Sequence, residues 1–417
     1  MSTNVENDFL KGTRLPGRSW MSGFLLAGVL IGILGSMLVV WDYDIDIVPT
    51  TVALHFLALG IGYLISSWVA EWLLQRTSIR LACLAAGAIG LVSLVALTYL
   101  GPPVWLWWRL VGLASAGAGG GLLMTSLLHG VQPFYRRFPA ATVNLASMMF
   151  GLGCLTVTAI LASTYDTGHP RIQAALLGSI PAIFLVLFLL NRDPAGRRLV
   201  PSRKSLAPHE DNLRDLRSVA GVLFALLLFF QFGNEWAIAG WLPLFLIHRL
   251  GANPDSAIWA LALYFGALVL GRVFAQALLP RINHRKVLIG SIMLAMLGYV
   301  ALSFTNSMAG ALTAVAVIGA GYAPIYPLVA ERLDNRFSFQ PRVYTGILAM
   351  AITGGMSAPW LLGYVAAGVG MRYVMLVPAL GSAAVLVLVL LIMLEAYLMG
   401  TDKRNSVEEP LTPAAGE

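Results

Sequence analysis

The chain has 417 residues, of which 58% are apolar and only 11% charged, with a mean hydropathy of +0.78. A water-soluble chain of this length needs far more charge to cover its cores, so the composition excludes ordinary soluble domains and places most of the chain in a bilayer. The net charge of +7 raises nucleic acid as a partner; the placement of that charge, below, removes it.

An apolar run of about 20 residues crosses a bilayer as a helix. Six such runs are predicted in the first half of the chain: Ser19 to Trp41, Pro49 to Ala70, Leu81 to Leu100, Val104 to Leu128, Pro139 to Ser163 and Ile172 to Asn191. Six more follow: Val219 to Leu246, Ser256 to Leu279, Val287 to Thr305, Met308 to Ala330, Val343 to Ala367 and Tyr373 to Met399. Membrane β-strands alternate over about 10 residues, whereas these runs are continuously apolar, so a β-barrel is excluded. The fold class expected is an all-α polytopic membrane protein of twelve transmembrane helices in two six-helix halves, residues 19–191 and 219–399. The N-terminal tail (1–18), the linker (192–218) and the C-terminal tail (400–417) complete the organisation, both tails being polar and read as disordered. The linker, the longest aqueous segment, is too short to fold as a catalytic domain, and no enzyme activity is expected.

Of the 27 Lys and Arg residues, 22 fall in loops on the side of the N-terminus and 3, Arg171, Arg249 and Arg372, on the other. By the positive-inside rule both termini are cytoplasmic, which makes this a multi-pass protein of a bacterial inner membrane. The basic charge therefore records orientation in lipid, and no nucleic acid partner is expected. The first span is too long for a signal peptide and lacks a small-residue cleavage site. Basic pairs at Arg76 and Arg80 after span two, and at Arg281 and Arg285 after span eight, share a spacing and lie close to half the chain apart. They suggest duplicated halves, an arrangement in which transporters hold solute near the midplane. Glycines such as Gly117, Gly119, Gly120, Gly121, Gly354 and Gly355 suit close helix packing.

Charge inside a bilayer is costly, so Arg109, Glu235, Arg272 and Glu395 are the first candidates for function. Glu395 is near a span end. Glu235 lies 16 residues into span seven, and Gln231, Asn234, Glu235 and Trp241 share an arc of roughly 120° on that helix. Two roles are open for Glu235: a substrate or coupling-ion site, or a buried acid locked to Arg109. Arg109, among Trp105, Trp107 and Trp108, could equally snorkel at the outer interface. Arg272 is expected to pair with Glu331 at the cytoplasmic rim as a gate, alongside Arg76 and Arg80. Asn144 in span five needs one interhelical bond, and His55 reads as a packed, bonded histidine. Trp241, Tyr264, Tyr322, Tyr326, Trp360 and Tyr364 collect in the second half, and Pro324 and Pro327 break span ten beside its two tyrosines. A broken helix with aromatic faces is a plausible solute site. The expected binding set is Asn144, Gln231, Asn234, Trp241, Tyr322, Tyr326 and Trp360.

Asp42, Asp44 and Asp46 alternate in a short outer loop and read as solvated. Cys83 and Cys154 lie within spans and make neither a disulfide framework nor a metal site. No phosphate-binding glycine loop with its lysine occurs, so ATP hydrolysis, metal and cofactor are not expected.

Over essentially all twelve spans the chain resembles the major facilitator superfamily. Arg76 and Arg80 match the family's basic turn, with Gln75 where an acid is usual and Ser78 where a glycine is usual. Arg109 resembles the arginine of the span-four motif, with Gly112 one position early. The segments NLASMMFGLGCL (144–155), GNEWAIAGWLPLFL (233–246), LYFGALVLGR (263–272) and GAGYAPIYPL (319–328) are similar to the fucose, galactose and glucose proton symporters and their sodium-glucose relatives. This resemblance implies alternating access, a sugar-class solute, and a coupling ion, proton or sodium, in a monomer. The acid that fucose transporters carry within the first span is missing, with Asp42 only at its outer end. Competing readings are an efflux antiporter for amphipathic compounds, a transporter-like solute sensor and a membrane enzyme acting on lipid-linked substrates.

Overall fold

The computed structural model describes residues 18–43, 45, 48–137, 139–190, 218–278, 282–337 and 341–398. Both tails, nearly all of the linker, and Asp44 and Asp46 of the acidic loop lie outside the described residues. Among the described residues the secondary structure is helical, without strands.

Span one is a bent pair, α1 (Arg18–Gly32) and α2 (Leu34–Val40), meeting at 46°. Spans two to six are α3 (Pro49–Leu74), α4 (Ile79–Leu97), α5 (Leu106–Arg137), α6 (Pro139–Thr164) and α7 (Pro170–Leu190). Spans seven to nine are α8 (Val219–Leu250), α9 (Pro254–Leu278) and α10 (His284–Phe304). Span ten is broken into α11 (Met308–Tyr322) and α12 (Ile325–Phe337), span eleven is α13 (Pro341–Val369), and span twelve is α14 (Leu376–Leu398) behind a short 3-10 turn, Met371–Tyr373. Among the described residues, 10 spans pass a length and apolarity test and the bent pair makes an eleventh. The remaining place is that of α13, 29 residues long.

Local sequence sets these boundaries. The Ser78 hydroxyl accepts from the Leu81 amide at the start of α4, and Asn283 accepts from Arg285 at the start of α10. Both caps sit in the basic turns that the sequence pairs, so Ser78, where the family usually has glycine, starts a helix here. Gly251, at φ 64°, ends α8 in the left-handed region that glycine reaches without strain.

The two halves pack alike. Span one meets span five and span two meets span four, while span seven meets span eleven and span eight meets span ten. Each contact uses glycine in the same place. Gly153 lies on the Leu25 carbonyl and Gly354 on the Phe229 carbonyl; Gly117 lies on the Leu59 carbonyl and Gly319 on the Tyr264 carbonyl. A Cβ at any of these positions would collide with backbone, so the glycines permit an approach that no larger residue allows. Trp68 and Leu380 are about three-quarters exposed on the outside of the bundle, as lipid-facing side chains are.

Among the described residues the halves join along span two with span eleven, span five with span eight and with the basic-end piece of span ten, and the outer piece of span one with span seven. Arg76, Arg80, Arg285 and Lys286 mark one end of the bundle, called here the basic end. At the opposite end the seams are tight: Gly35 meets the Ala239 carbonyl, Gly363 meets Ala53 and the Pro49 carbonyl, and Phe56 stacks on Trp241 with ring centres 5.9 Å apart.

Candidate functional site

Halfway along α8 the helix turns a mixed face inward. Gln231 Nε2 donates to Glu235 Oε1 at 2.9 Å, one helical turn apart. Gln231 is buried, whereas Glu235 and its neighbour Trp236 keep partial accessibility in the middle of the bundle. Around them Trp236 meets Phe150 of span five edge-on across the halves, with ring centres 6.2 Å apart. Phe232 meets Tyr326 at 5.4 Å. Tyr63 of span two lies within electrostatic reach of Tyr326, again across the halves. Gly355 of span eleven backs Trp236, and Met356 packs on Gly60 of span two. The result is an aromatic-walled space at mid-bundle with one carboxylate and contributions from both halves.

Arg272 supplies the opposing charge. It is 5% exposed, its Nη1 donates to the Ser147 carbonyl of span five at 2.6 Å, and its field reaches Glu235 and Cys154. Its Nε, Gln231 Oε1, Ser67 Oγ and Trp360 Nε1 are buried without a hydrogen-bond partner. Each such orphan costs about 1–3 kcal/mol, and two of the four, Gln231 Oε1 and Arg272 Nε, belong to the residues around Glu235. Among the described residues no group of three His, Cys, Asp or Glu side chains is arranged to hold a metal.

The sequence expectations divide at this point. Glu235, Gln231 and Tyr326 belong to this mid-bundle cluster, whereas Trp360 follows Pro359 at the opposite seam and meets Tyr364 with ring centres 5.3 Å apart. Asn144 sits toward the basic end, where its Nδ2 donates to Gln276 Oε1 of span eight at 2.8 Å. Asn234 points away from Glu235, against Gly381 of span twelve, because neighbours on three sides divide the 120° arc. Trp241 is fully buried at the opposite seam, its indole nitrogen donating to the Pro359 carbonyl at 2.8 Å. Tyr322 turns into the second half, its hydroxyl on Ser382 Oγ at 3.1 Å. The helix break at Ala323 and Pro324 separates it from Tyr326, so two tyrosines one turn apart in sequence face different surroundings.

Two expected pairings are not formed. Arg109 does not reach Glu235; it lies near the outer end of α5, donating to Tyr43 Oη at 2.8 Å and to the Val104 carbonyl at 2.9 Å. Tyr43 contacts His55 Nε2 at 3.2 Å, while His55 Nδ1 donates to the Thr51 carbonyl, the bonded histidine that the sequence suggests. Arg272 does not pair with Glu331, which meets His284 at 3.2 Å; the guanidinium points into the bundle rather than snorkelling to the rim. Arg80 donates to the Leu189 carbonyl of span six, and Arg76 lies over the Trp72 ring, so both stay within the first half. Tyr63, Phe150 and Trp236 are not among the residues the sequence singles out, since an aromatic residue at mid-span is shared by ordinary packing positions.

Two pseudo-symmetric six-helix halves enclosing a carboxylate and aromatic faces between them define the class of alternating-access membrane transporters. The family model of the Major Facilitator Superfamily matches residues 20–337 and 224–415, and the chain belongs to that superfamily. An uncharacterised MFS-type transporter of Yersinia pestis is 23% identical over 88% of this chain and 93% of its own. A Helicobacter pylori protein assigned as a glucose/galactose transporter is 26% identical over 49% of this chain and 48% of its own. Among solved structures, a D-xylose-proton symporter superposes with a TM-score of 0.70 at 14% identity, covering 89% of this chain and 95% of that one. The Escherichia coli fucose:proton symporter gives 0.61 at 18% identity, covering 90% and 97%. At these identities the structures establish the fold.

Proposed function

We propose that this transporter moves a sugar or similar small polar solute by alternating access, driven by protons that load and leave Glu235. The observation that carries the reading is Glu235 itself: a carboxylate at mid-bundle, bonded to Gln231, in the field of Arg272 and beside aromatic faces from both halves. A carboxylate in such a place changes charge at a cost that depends on its surroundings, and those surroundings change when the halves rock. The flat faces of Trp236, Phe150 and Tyr326 suit the C–H face of a sugar ring, and the orphan atoms of Gln231 and Arg272 suit its hydroxyls. The sugars handled by the Helicobacter relative and the two structural neighbours support the solute class. In this reading the basic end faces the cytoplasm of a bacterial inner membrane, the protein works as a monomer, and protons couple through Glu235, the one carboxylate found at mid-bundle among the described residues.

A second reading rests on the same aromatic walls: Phe150, Phe232 and Trp236 would equally receive an amphipathic compound for export. One experiment separates them. Purified protein in liposomes is given labelled D-glucose, D-galactose, L-fucose or D-xylose under an imposed pH gradient, and separately under a sodium gradient. Accumulation of one sugar under the pH gradient supports the proposal. Uptake of none, with proton-driven movement of an amphipathic dye, overturns it in favour of export, and sodium-driven uptake alone replaces the coupling ion.

A further inference from the structure

We propose that Arg272 is a two-position latch, alternating between the Ser147 carbonyl of the opposite half and the Glu235 carboxylate of its own, so that the proton on Glu235 decides whether the seam of spans five and eight stays closed at the basic end. The inference rests on Glu235 as the coupling acid and adds the part that the acid moves.

In this conformation the two charged groups do not touch. Arg272 donates to Ser147 at 2.6 Å, and Glu235 accepts from Gln231 at 2.9 Å. Three or four residues nearer the basic end on the same two helices, Asn144 donates to Gln276 at 2.8 Å. Spans five and eight run antiparallel, so the two bonds form a ladder across the halves. Gly151 makes the upper rung possible, since a Cβ there would lie 2.8 Å from Val269 Cγ2 and 3.4 Å from Arg272 Nη1. The orphaned Nε leaves the guanidinium with an unused donor, within the electrostatic reach of Glu235.

Both positions satisfy the same chemistry. While Glu235 holds a proton, the strongest acceptor near Arg272 is the Ser147 carbonyl, and the seam stays shut. Once the proton leaves, an ionised carboxylate without a cation partner in the interior costs several kcal/mol, which draws the guanidinium over and frees Ser147. The latched state binds the proton more tightly than the open one, so a proton taken up with the basic end closed is released when that end opens. The other titratable groups facing Glu235 are Tyr264 of span eight, Tyr299 of span nine, Tyr322 of span ten and Cys154 of span five. None of these side chains ordinarily changes charge between pH 5 and 8. Two histidine–carboxylate contacts at the basic end, His129 with Glu71 and His284 with Glu331, are the competing source of pH dependence.

The test is a distance between the halves at the basic end, read by pulsed electron paramagnetic resonance. Nitroxides are placed at Gln75 and Lys286, both exposed, with Cys83 and Cys154 replaced by serine, in lipid nanodiscs without solute. The expected result is a short distance at pH 5 that lengthens toward pH 8 with the midpoint of one proton. Glu235→Gln stays short at every pH, and Arg272→Gln loses the pH dependence. Gly151→Ala keeps both ionisable groups but weakens the rung; a roughly tenfold loss of latched population, the scale of one charge-assisted bond, lowers the midpoint by about one pH unit. Lengthening with pH that persists in Glu235→Gln assigns the switch to the histidine pairs and overturns the proposal. If Arg272→Gln does not fold, Gly151→Ala decides, and an unmoved midpoint refutes the latch. Sugar accumulation lost in Glu235→Gln while its distance still responds to pH leaves the coupling acid standing and removes the latch; the converse removes the coupling acid alone.

Discussion

Tyr322 and Tyr326 stand one helical turn apart, and the break between them predicts opposite phenotypes. Tyr326 is partly accessible at mid-bundle, edge-on to Phe232 with ring centres 5.4 Å apart. Tyr326→Ala removes one aromatic face from the space without opening a fully buried cavity. An aromatic contact contributes about 0.5–1.5 kcal/mol beyond buried area, so the Kd of the preferred sugar rises about three- to tenfold, with little change in thermal stability. Tyr322 is 1% exposed, and its hydroxyl meets Ser382 Oγ, which itself donates to the Pro378 carbonyl at 2.8 Å. Tyr322→Phe therefore deletes a buried bond worth about 1 kcal/mol, lowering the apparent Tm by roughly 1–2 °C for a chain of this length while leaving affinity unchanged. The assay is thermal unfolding of detergent-purified protein with and without graded sugar, chosen from D-glucose, D-galactose, L-fucose and D-xylose by the largest shift. Unchanged affinity in Tyr326→Ala, or lost affinity in Tyr322→Phe, would refute the division that the helix break is argued to make.

Gly35→Val places side-chain atoms on the Ala239 carbonyl and wedges the seam between spans one and seven; a cysteine introduced at Phe56 then reacts faster with a membrane-impermeant maleimide added from the end opposite the basic loops. Arg109→Gln loses its bonds to Tyr43 and the Val104 carbonyl and is expected to lower the apparent Tm by a few degrees while pH-driven uptake keeps its coupling; loss of coupling with normal stability would return Arg109 to the solute site. Glu331→Gln breaks the partly exposed contact with His284, worth less than about 1 kcal/mol, and uptake rates should stay within twofold or so of wild type on that scale.

The architecture was legible because the bilayer leaves few options: twelve apolar runs, one-sided basic loops and a repeated basic turn each constrain the fold independently. The site was less so. A carboxylate 16 residues into an apolar helix announces itself, but its partner does not, since Arg109 and Arg272 are both buried arginines in sequence. Which one faces Glu235 depends on helix rotation and on depth along the span, and Arg272 lies on the helix beside α8 whereas Arg109 sits at the outer end of the other half. Trp241 and Asn234 share a sector with Glu235 on a helical wheel, yet span eleven takes the indole and span twelve takes the amide. Tyr63 and Phe150 gave no signal because an aromatic residue at mid-span is ordinary packing until a second half faces it.

Glu235→Gln offers the most direct measurement of the central claim. Glutamine keeps the size of the side chain and can still bond Gln231, but it can neither gain nor lose a proton. In liposomes, where bound sugar supplies the opening that the unloaded, protonated carrier lacks, the variant should exchange labelled for unlabelled sugar at equilibrium, yet build up no sugar against its gradient when the outside is made acid. Accumulation at the wild-type level under that pH gradient would contradict the account and remove Glu235 from the coupling path.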